Sequence, residues 1–261
     1  MSMNPRLQPL VATLTAARTQ GHGLGVLPAD PLPADEAEAT EVQHALLAQL
    51  GQPVAGWKVG AKSADGPITA APLPADSVLR SPAVLPLRQG RVPAGRLMGL
   101  ELELAFFFGR DFGPGDESLP DAEVLSAIAR MAATFELVAS RFDAVVAVPP
   151  LLAQADLLFH GGLVVGEAVP FDRGRSLTDP ALRLAIDGHD VPGLPGNNPA
   201  GHPLRLLPWL VRHVARRGGQ LPAGTVVTTG SFVGLQPVPA RGAALLGEIA
   251  GLPPVRLSLA A

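Results

Sequence analysis

The sequence predicts a mixed α and β fold in which two helices come first and strands predominate afterwards. Residues 7–19 and 34–50 carry apolar side chains at helical spacing. From residue 55 onwards, most apolar segments are short, alternating or β-branched, and bounded by Gly or Pro. Of the 261 residues, 47% are hydrophobic and 16% are charged. The chain can therefore bury a sizeable core, and disorder is not expected.

The composition narrows the classes of function. There is no Cys, which excludes disulfides, thiolate catalysis and Cys-ligated metals, and no Tyr, which leaves His, Asp, Glu, Lys or water for proton transfer. The net charge is −3 and no basic tract is present, so nucleic acid is not expected as a partner. No signal-peptide pattern and no stretch near the roughly 18 apolar residues of a membrane span occur. The sequence therefore predicts a soluble, cytoplasmic protein without a membrane partner.

The two N-terminal helices are bounded by residues that favour helix ends. The first is followed by Gly21, and the second has Asp35 as a candidate N-cap and Gly51 at its end. A chain of this length suits one large domain or a small module on a larger one. We expect a helical N-terminal portion over residues 1–90, which also includes a short strand and a lid or linker, and a β-rich domain over residues 91–261.

A short strand over residues 55–63 carries a lysine between apolar neighbours, with Lys58 at its centre. Lys58 either lies on an edge strand, where its charge discourages aggregation, or is partly buried and faces an anion. The following Pro-, Ala- and Gly-rich residues 64–95 are interpreted as a linker or lid, with short strands at 77–79 and 83–87.

Two acidic residues lie two positions apart in the apolar stretch 99–109. In a strand, Glu101 and Glu103 would project from the same face, with leucines on the other face. Adjacent carboxylates in an apolar setting repel each other and lose hydration, and a divalent cation would offset both effects. The alternative is a half-exposed strand whose acids simply meet water.

A third acid, Glu136, lies between two apolar residues in a predicted strand over residues 134–142. A carboxylate in such surroundings needs a cation. Arg141 could supply it in a structural ion pair. Alternatively, Glu136 joins Glu101 and Glu103 as a third oxygen ligand, and three carboxylates with waters suit Mg²⁺ or Mn²⁺.

The remaining elements follow from the same patterns. Helices are predicted over residues 121–133 and 204–217, and strands over 163–166, 182–188, 223–231, 245–249 and 254–259, with a hairpin turn at Asp187-Gly188.

The strand that ends in Thr229-Gly230-Ser231 either binds a carboxylate through small hydroxyls and backbone N–H groups or is an ordinary strand end. His160, near Asp156 and two glycines, is either a satisfied polar residue or part of a site.

Six short motifs occur in order along the chain. They are Gly56-Trp57-Lys58-Val59-Gly60, Glu101-x-Glu103, Phe135-Glu136-x-x-x-Ser140-Arg141, Ala155-Asp156, Gly162-x-x-Val165-Gly166 and Thr229-Gly230-Ser231. Together they resemble the 2-keto-4-pentenoate hydratase branch of the fumarylacetoacetate hydrolase superfamily, which also includes 4-oxalocrotonate decarboxylase. The resemblance extends from about Leu7 to the C-terminus.

The resemblance implies an α+β fold, a mixed β-sheet roll with peripheral helices and a small, largely helical N-terminal portion, and a homo-oligomer. It implies that Glu101, Glu103 and Glu136 ligate Mg²⁺ or Mn²⁺ and that Lys58 is the active-site lysine. It places Ser231, together with Thr229 and Arg141, where the family contacts its substrate.

The sequence departs from the family at two motifs. Family members often carry Pro-Asp-(Phe/Tyr)-Gly after the lysine; here Asp76 has about the right spacing, but the aromatic residue and Gly are missing. Many members read Ala-Asp-Asn-Ala-Ser where this chain has Ala155-Asp156-Leu157-Leu158-Phe159-His160. Asp76 and His160 are therefore candidate catalytic residues beside Lys58, and the acid/base assignment is open.

The resemblance implies a hydratase that adds water to a 2-hydroxy-2,4-dienoate to give a 4-hydroxy-2-oxo acid, in the meta-cleavage catabolism of aromatic compounds. The same metal site could serve decarboxylation of a 2-oxo diacid or hydrolysis of a 1,3-diketone, because all three reactions need stabilisation of an enolate. A non-enzymatic, metal-bound oligomer is a further alternative.

Overall fold

The computed structural model of the chain describes residues 4–21, 23–25, 31–87, 97–143, 147–239 and 241–260. Its helices, in chain order, are α1 (Gln8–Gln20), α2 (Glu36–Gln49), α3 (Asp121–Ser126), α4 (Pro150–Ala155) and α5 (Leu206–Ala215), and a 3₁₀ turn, Pro5–Leu7, leads into α1. The Asp35 carboxylate accepts the Glu38 N–H and caps α2, as the sequence predicts. No helix within the described ranges has the length and apolar character needed to cross a membrane.

The larger sheet has eight strands. They are β1 (Val54–Ala61), β2 (Ile68–Pro74), β3 (Val78–Arg80), β5 (Leu97–Phe108), β6 (Ile128–Ala139), β7 (His160–Val165), β8 (Val169–Pro170) and β11 (Val226–Ser231). Their order is β2-β1-β11-β5-β6-β7-β3, with β8 paired to β6. The β1–β11 and β3–β7 pairs are parallel and the others antiparallel, so the sheet is mixed.

The smaller sheet has five strands. They are β4 (Ala83–Pro86), β9 (Leu182–Ile186), β10 (His189–Asp190), β12 (Ala243–Ile249) and β13 (Val255–Ala260), in the order β10-β9-β12-β13-β4. The Asp187-Gly188 turn joins β9 to β10, as predicted. The two mixed sheets and the surrounding helices confirm the predicted α+β class with mixed sheets and peripheral helices.

The two sheets pack tightly through the leucine face of β5. Leu100, Leu102 and Leu104 are at most 1% exposed. Gly247 on β12 allows the approach, because an added Cβ would lie 2.6 Å from Leu102 Cδ1 and 2.7 Å from Phe135 Cζ. The apolar face of β5 is thus buried in the core between the two sheets. Its opposite face carries Glu101 and Glu103.

Two predicted elements are wrong. Residues 128–133 belong to β6 and not to a helix, because α3 ends at Ser126 and this part of β6 pairs with β5 on one side and with β8 on the other. Pairing on two sides outweighs the modest helical preference of this alanine-rich segment. Residues 68–74 form β2, a full partner of β1, where the sequence analysis expected linker or lid; the part of that segment from residue 88 to 95 lies outside the described residues.

Candidate active site

Three carboxylates converge on one face of the larger sheet. Glu101 on β5 is the direct register partner of Glu136 on β6, and Glu103 projects beside Glu101. One carboxylate oxygen from each of the three lies within 4.8 Å of the others. Glu103 and Glu136 are buried, with 2% and 0% exposure. The structure thus brings together the three acids that the sequence singled out.

Strand β11 holds Glu103 in place. Thr228 Oγ1 donates to Glu103 Oε2, and the Gly230 N–H donates to the same oxygen at 3.0 Å. Gly230 has a φ of +93°, which an L side chain rarely adopts, so glycine suits the backbone that directs this N–H at the carboxylate. Sequence reasoning missed Thr228; its position in a β-branched run adjacent to Thr229 gave no signal that separated it from its neighbour.

Glu136 is partnered on one oxygen only. Its Oε1 accepts from Lys58 Nζ at 2.6 Å and lies 3.2 Å from His160 Nδ1. Its Oε2 is buried and has no hydrogen-bond partner among the described residues. A buried carboxylate oxygen without a donor is costly unless a cation binds it.

The pKa shifts of the three acids also favour a bound cation. Burial, with the neighbouring Glu136 and Glu101, raises the pKa of Glu103 well above its usual range. Burial also raises the pKa of Glu101, and the charge of Glu136 adds to this. Burial alone would raise the pKa of Glu136, but Lys58 and His160 hold it below its usual value. The three acids therefore resist ionising together unless positive charge is added.

A divalent cation fits these residues. Three ionised carboxylates and one ammonium carry a net charge of −2, which an ion such as Mg²⁺ or Mn²⁺ would neutralise. Carboxylate oxygens are the donors that these hard cations prefer. Glu136 Oε2 is the oxygen that such an ion would satisfy. The three carboxylates could bind a divalent metal.

Lys58 is the cationic group of the site. Its Nζ also donates to Leu158 O at 3.1 Å, and its side chain is 15% exposed. Burial would lower the pKa of Lys58, but Glu136, Glu101 and Glu103 raise it above its usual value. Lys58 is therefore a charged hydrogen-bond donor and not a free amine.

His160 is held between two partners in the interior. Its Nε2 lies 2.8 Å from Ser77 Oγ, which also contacts Pro74 O at 2.7 Å, and its Nδ1 faces Glu136. Burial lowers the pKa of His160, although Glu136 opposes the shift.

Ser77 was not singled out in the sequence, and it follows Asp76 directly. For Asp76 itself, the backbone N–H donates to Gln52 Oε1 at 3.1 Å, and its catalytic role stays a prediction.

Arg141 pairs with Asp156, while the ion pair of Glu136 is with Lys58. Arg141 Nε donates to Asp156 Oδ2 at 3.1 Å, and Arg18 of α1 donates to Asp156 Oδ1 at 3.0 Å. A substrate contact by Arg141 stays a prediction. Arg18 was missed because 138 positions separate it from Asp156.

The hydroxyls of Thr229 and Ser231 are engaged with the backbone. Thr229 Oγ1 donates to Leu104 O at 3.0 Å, and Ser231 Oγ donates to Gly234 O at 3.1 Å. Buried Asn198 donates to Thr229 O at 2.8 Å and fixes this strand end from outside. Both residues adjoin Thr228 and Gly230, which hold Glu103. A contact of the two hydroxyls with substrate stays a prediction.

Comparison with known proteins gives one family match. The model described as fumarylacetoacetate (FAA) hydrolase C-terminal matches residues 57–257, well over half of the chain. No curated protein sequence matches the chain significantly.

Solved structures with similar folds include three proteins with different activities. 4-Oxalocrotonate decarboxylase from Pseudomonas putida G7, complexed with magnesium and adipate, has a TM-score of 0.81 at 21% identity, covering 99% of this chain and 100% of that one. Fumarylpyruvate hydrolase from Pseudomonas aeruginosa, in complex with Mn²⁺ and pyruvate, has a TM-score of 0.56 at 18% identity and covers 80% of this chain and 91% of that one. 2-Hydroxyhepta-2,4-diene-1,7-dioate isomerase from Mycobacterium marinum has a TM-score of 0.54 at 16% identity, with coverages of 80% and 76%.

Proposed function

Because the chain belongs to the fumarylacetoacetate hydrolase family, we propose that it is a divalent-metal-dependent lyase that hydrates a 2-hydroxy-2,4-dienoate to a 4-hydroxy-2-oxo acid. The observation that carries this proposal is the buried cluster of Glu101, Glu103 and Glu136 with Lys58 bound to its innermost member. The arrangement combines a site for a cation with a fixed positive donor. That is what a reaction needs when negative charge develops on a substrate oxygen.

Glu101, Glu103 and Glu136 would hold Mg²⁺ or Mn²⁺. The bound cation would supply Lewis acidity for the carboxylate and 2-oxygen of the substrate. The residues around the carboxylates fix their orientation before any ion arrives, since Thr228 and Gly230 bind Glu103 and Lys58 binds Glu136. A prearranged ligand set loses little freedom on binding.

Lys58 would donate to a substrate oxygen. An ammonium has three hydrogens, and two of them have partners in Glu136 Oε1 and Leu158 O. The third is left to stabilise charge on the substrate carboxylate or 2-oxygen. Because the three acids raise the pKa of Lys58, it acts as a charged donor near neutral pH and not as a base.

His160 would keep Glu136 oriented, since both of its ring nitrogens have partners in the interior. Asp76, from its place in the sequence, is the group that we propose to transfer the proton when water adds to the diene. Ser231, Thr229 and Arg141 are proposed to line the substrate side of the site. We also propose that the enzyme is a cytoplasmic homo-oligomer.

Decarboxylation of a 2-oxo diacid is the second candidate. The decarboxylase from Pseudomonas putida G7 matches this chain over its whole length, whereas the hydrolase and isomerase structures match about four fifths of it. Both reactions need the same stabilised enolate and the same charged donor. They differ in the bond that changes, because hydration adds water across a carbon–carbon double bond and decarboxylation releases CO₂.

An ultraviolet assay with identified products tests the proposal. Purified protein with Mg²⁺ is mixed with a panel of 2-hydroxydienoates and with a 2-oxo diacid, and products are identified by mass. We expect loss of dienol absorbance and a product heavier by one water. Release of CO₂ from the diacid alone would replace hydration with decarboxylation. Metal binding without turnover, and without binding of oxalate or pyruvate, would support the non-enzymatic alternative.

A further inference from the structure

The backbone between Asp156 and His160 adopts a left-handed conformation. Leu157, Leu158 and Phe159 have φ angles of +55°, +52° and +61°, so three consecutive residues other than glycine are left-handed. L-residues disfavour this region, and they enter it as single residues far more often than as a run. Such a backbone persists only where the surrounding contacts over-determine it.

This left-handed loop orients two groups of the site. The Leu158 carbonyl, in the middle of the loop, accepts from Lys58 Nζ at 3.1 Å. His160, at its end, places Nδ1 3.2 Å from Glu136 Oε1. A right-handed path through the same residues would aim the Leu158 carbonyl elsewhere. The loop therefore sets the position of the ammonium and of the carboxylate together.

Two guanidinium groups join the ends of the loop. Arg141 donates to Asp156 Oδ2 at 3.1 Å and to His160 O at 3.3 Å. Arg18 donates to Asp156 Oδ1 at 3.0 Å, to Asp156 O at 2.8 Å and to His160 O at 3.2 Å. Asp156 is fully buried, and the Arg18 and Arg141 side chains are only 11% and 4% exposed. These bonds tie the first and last residues of the loop to each other.

We infer that Arg18 is a positioning residue for Lys58 and His160, and that it acts through the left-handed loop. Arg18 belongs to α1, outside the residues 57–257 that match the family model. Helix α1 thus completes the site by clamping a loop and without supplying a ligand to the carboxylate cluster. If Arg18 were replaced, Arg141 would remain, but Asp156 Oδ1 and the Asp156 carbonyl would lose their guanidinium donor. The loop could then relax from its left-handed conformation.

The test compares Arg18→Met with Arg18→Lys and Arg6→Met in the full-length, Mg²⁺-loaded protein. Arg6 is the matched control, because it also comes from the N-terminal segment and loses an ion pair, with Glu38, that lies on the surface. Amide hydrogen exchange is followed by mass spectrometry in peptides that cover residues 156–160. We expect Arg18→Met to raise exchange there by roughly tenfold or more, with Arg18→Lys intermediate and Arg6→Met unchanged.

The kinetic part of the test rests on the proposed function, and the exchange part does not. In the activity assay we expect kcat of Arg18→Met to fall by roughly 10- to 100-fold with little change in KM, partly restored by lysine, because a displaced donor weakens the transition state more than metal-based binding. If no substrate is turned over by the wild type, the exchange result still decides the positioning role. Unchanged exchange over residues 156–160 in Arg18→Met, or equal effects of Arg18→Met and Arg6→Met, would overturn the inference. If Arg18→Met does not fold, the comparison of Arg18→Lys with Arg6→Met decides it by the same criterion.

Discussion

Lys58 Nζ lies 2.6 Å from Glu136 Oε1, although β1 and β6 are three strands apart in the sheet. Strands are spaced by about 4.8 Å, so the two backbones would be about 14 Å apart in a flat sheet. The contact needs two long side chains that converge on one face of a curled sheet. The ion pair therefore depends on sheet curvature, and all four consecutive strands, β1, β11, β5 and β6, contribute residues to one site.

Replacing Lys58 with Met should separate catalysis from metal binding. The net charge of the cluster would change from −2 to −3, so affinity for Mn²⁺ should be kept or increased, while kcat falls by about 100-fold or more because a charged donor is lost. Without metal, loss of the ammonium partner of buried Glu136 should lower the free energy of unfolding by roughly 3–5 kcal/mol, although His160 still contacts the carboxylate. Kinetics and Mn²⁺ titration measure the two effects.

Lys62→Met is the matched control, because Lys62 follows β1 closely in sequence but is exposed. It should keep wild-type kcat and stability. If Lys58→Met loses metal affinity as strongly as it loses kcat, the ammonium is needed to assemble the ligand set, and its assignment as a donor to substrate is wrong.

Divalent metal should stabilise the protein strongly, because it relieves repulsion between Glu101 and Glu136, which face each other across β5 and β6. At a metal concentration about 100 times Kd, binding adds about 2.7 kcal/mol, which corresponds to a rise in Tm of roughly 5–10 °C. Differential scanning calorimetry with EDTA and then with Mg²⁺ or Mn²⁺ measures the shift.

Glu103→Gln should abolish most of this metal-dependent rise in Tm, and Glu123→Gln should preserve it, because Glu123 lies in an exposed surface ion pair on α3. Equal responses to metal in wild type and Glu103→Gln would place the cation elsewhere.

Local periodicity in the sequence predicts the carboxylates of the site. It does not predict the residues that hold the site in place. The spacing of Glu101 and Glu103 in an apolar strand fixes which face they share, and the register of β5 with β6 then brings in Glu136. Ser77 and Arg18 reach His160 and Asp156 over 83 and 138 positions, and no local pattern encodes such contacts. The helical spacing within 121–133 was misleading for a related reason, since strand pairing of β6 on both edges decided its structure.

Gly247→Ala should destabilise the contact between the two sheets. Its Cβ would lie 2.6–2.8 Å from Leu102 and Phe135, both fully buried, so the core has to shift. We expect a loss of about 1–3 kcal/mol in the free energy of unfolding, measured by urea titration. Gly60→Ala is the control, because a Cβ there meets nothing within 4 Å. It should be within about 0.5 kcal/mol of wild type, and a similar loss for both variants would mean that strand propensity, and not sheet packing, sets the effect.

His213 should make the fold sensitive to acid. It lies on α5, stacked on Trp209 with ring centroids 4.5 Å apart, and Arg217 approaches its Nδ1 at 3.2 Å. Burial, followed by the charges of Arg217, His44 and Arg216, lowers the pKa of His213 from 6.5 to about 4. The folded state therefore favours the neutral ring, and the unfolded chain takes up a proton first as the pH falls.

The stability due to this residue is complete above pH 6.5 and is lost between about pH 6.5 and pH 4. The loss should reach about 3 kcal/mol at most. His213→Phe keeps a ring on Trp209 but cannot titrate, so its free energy of unfolding should fall less steeply over this pH range. Urea titrations at pH 8, 6 and 4.5 measure the slopes, and the difference at pH 8, where both rings are neutral, isolates the packing change. Parallel slopes for the two proteins would show that protonation of His213 does not drive acid unfolding.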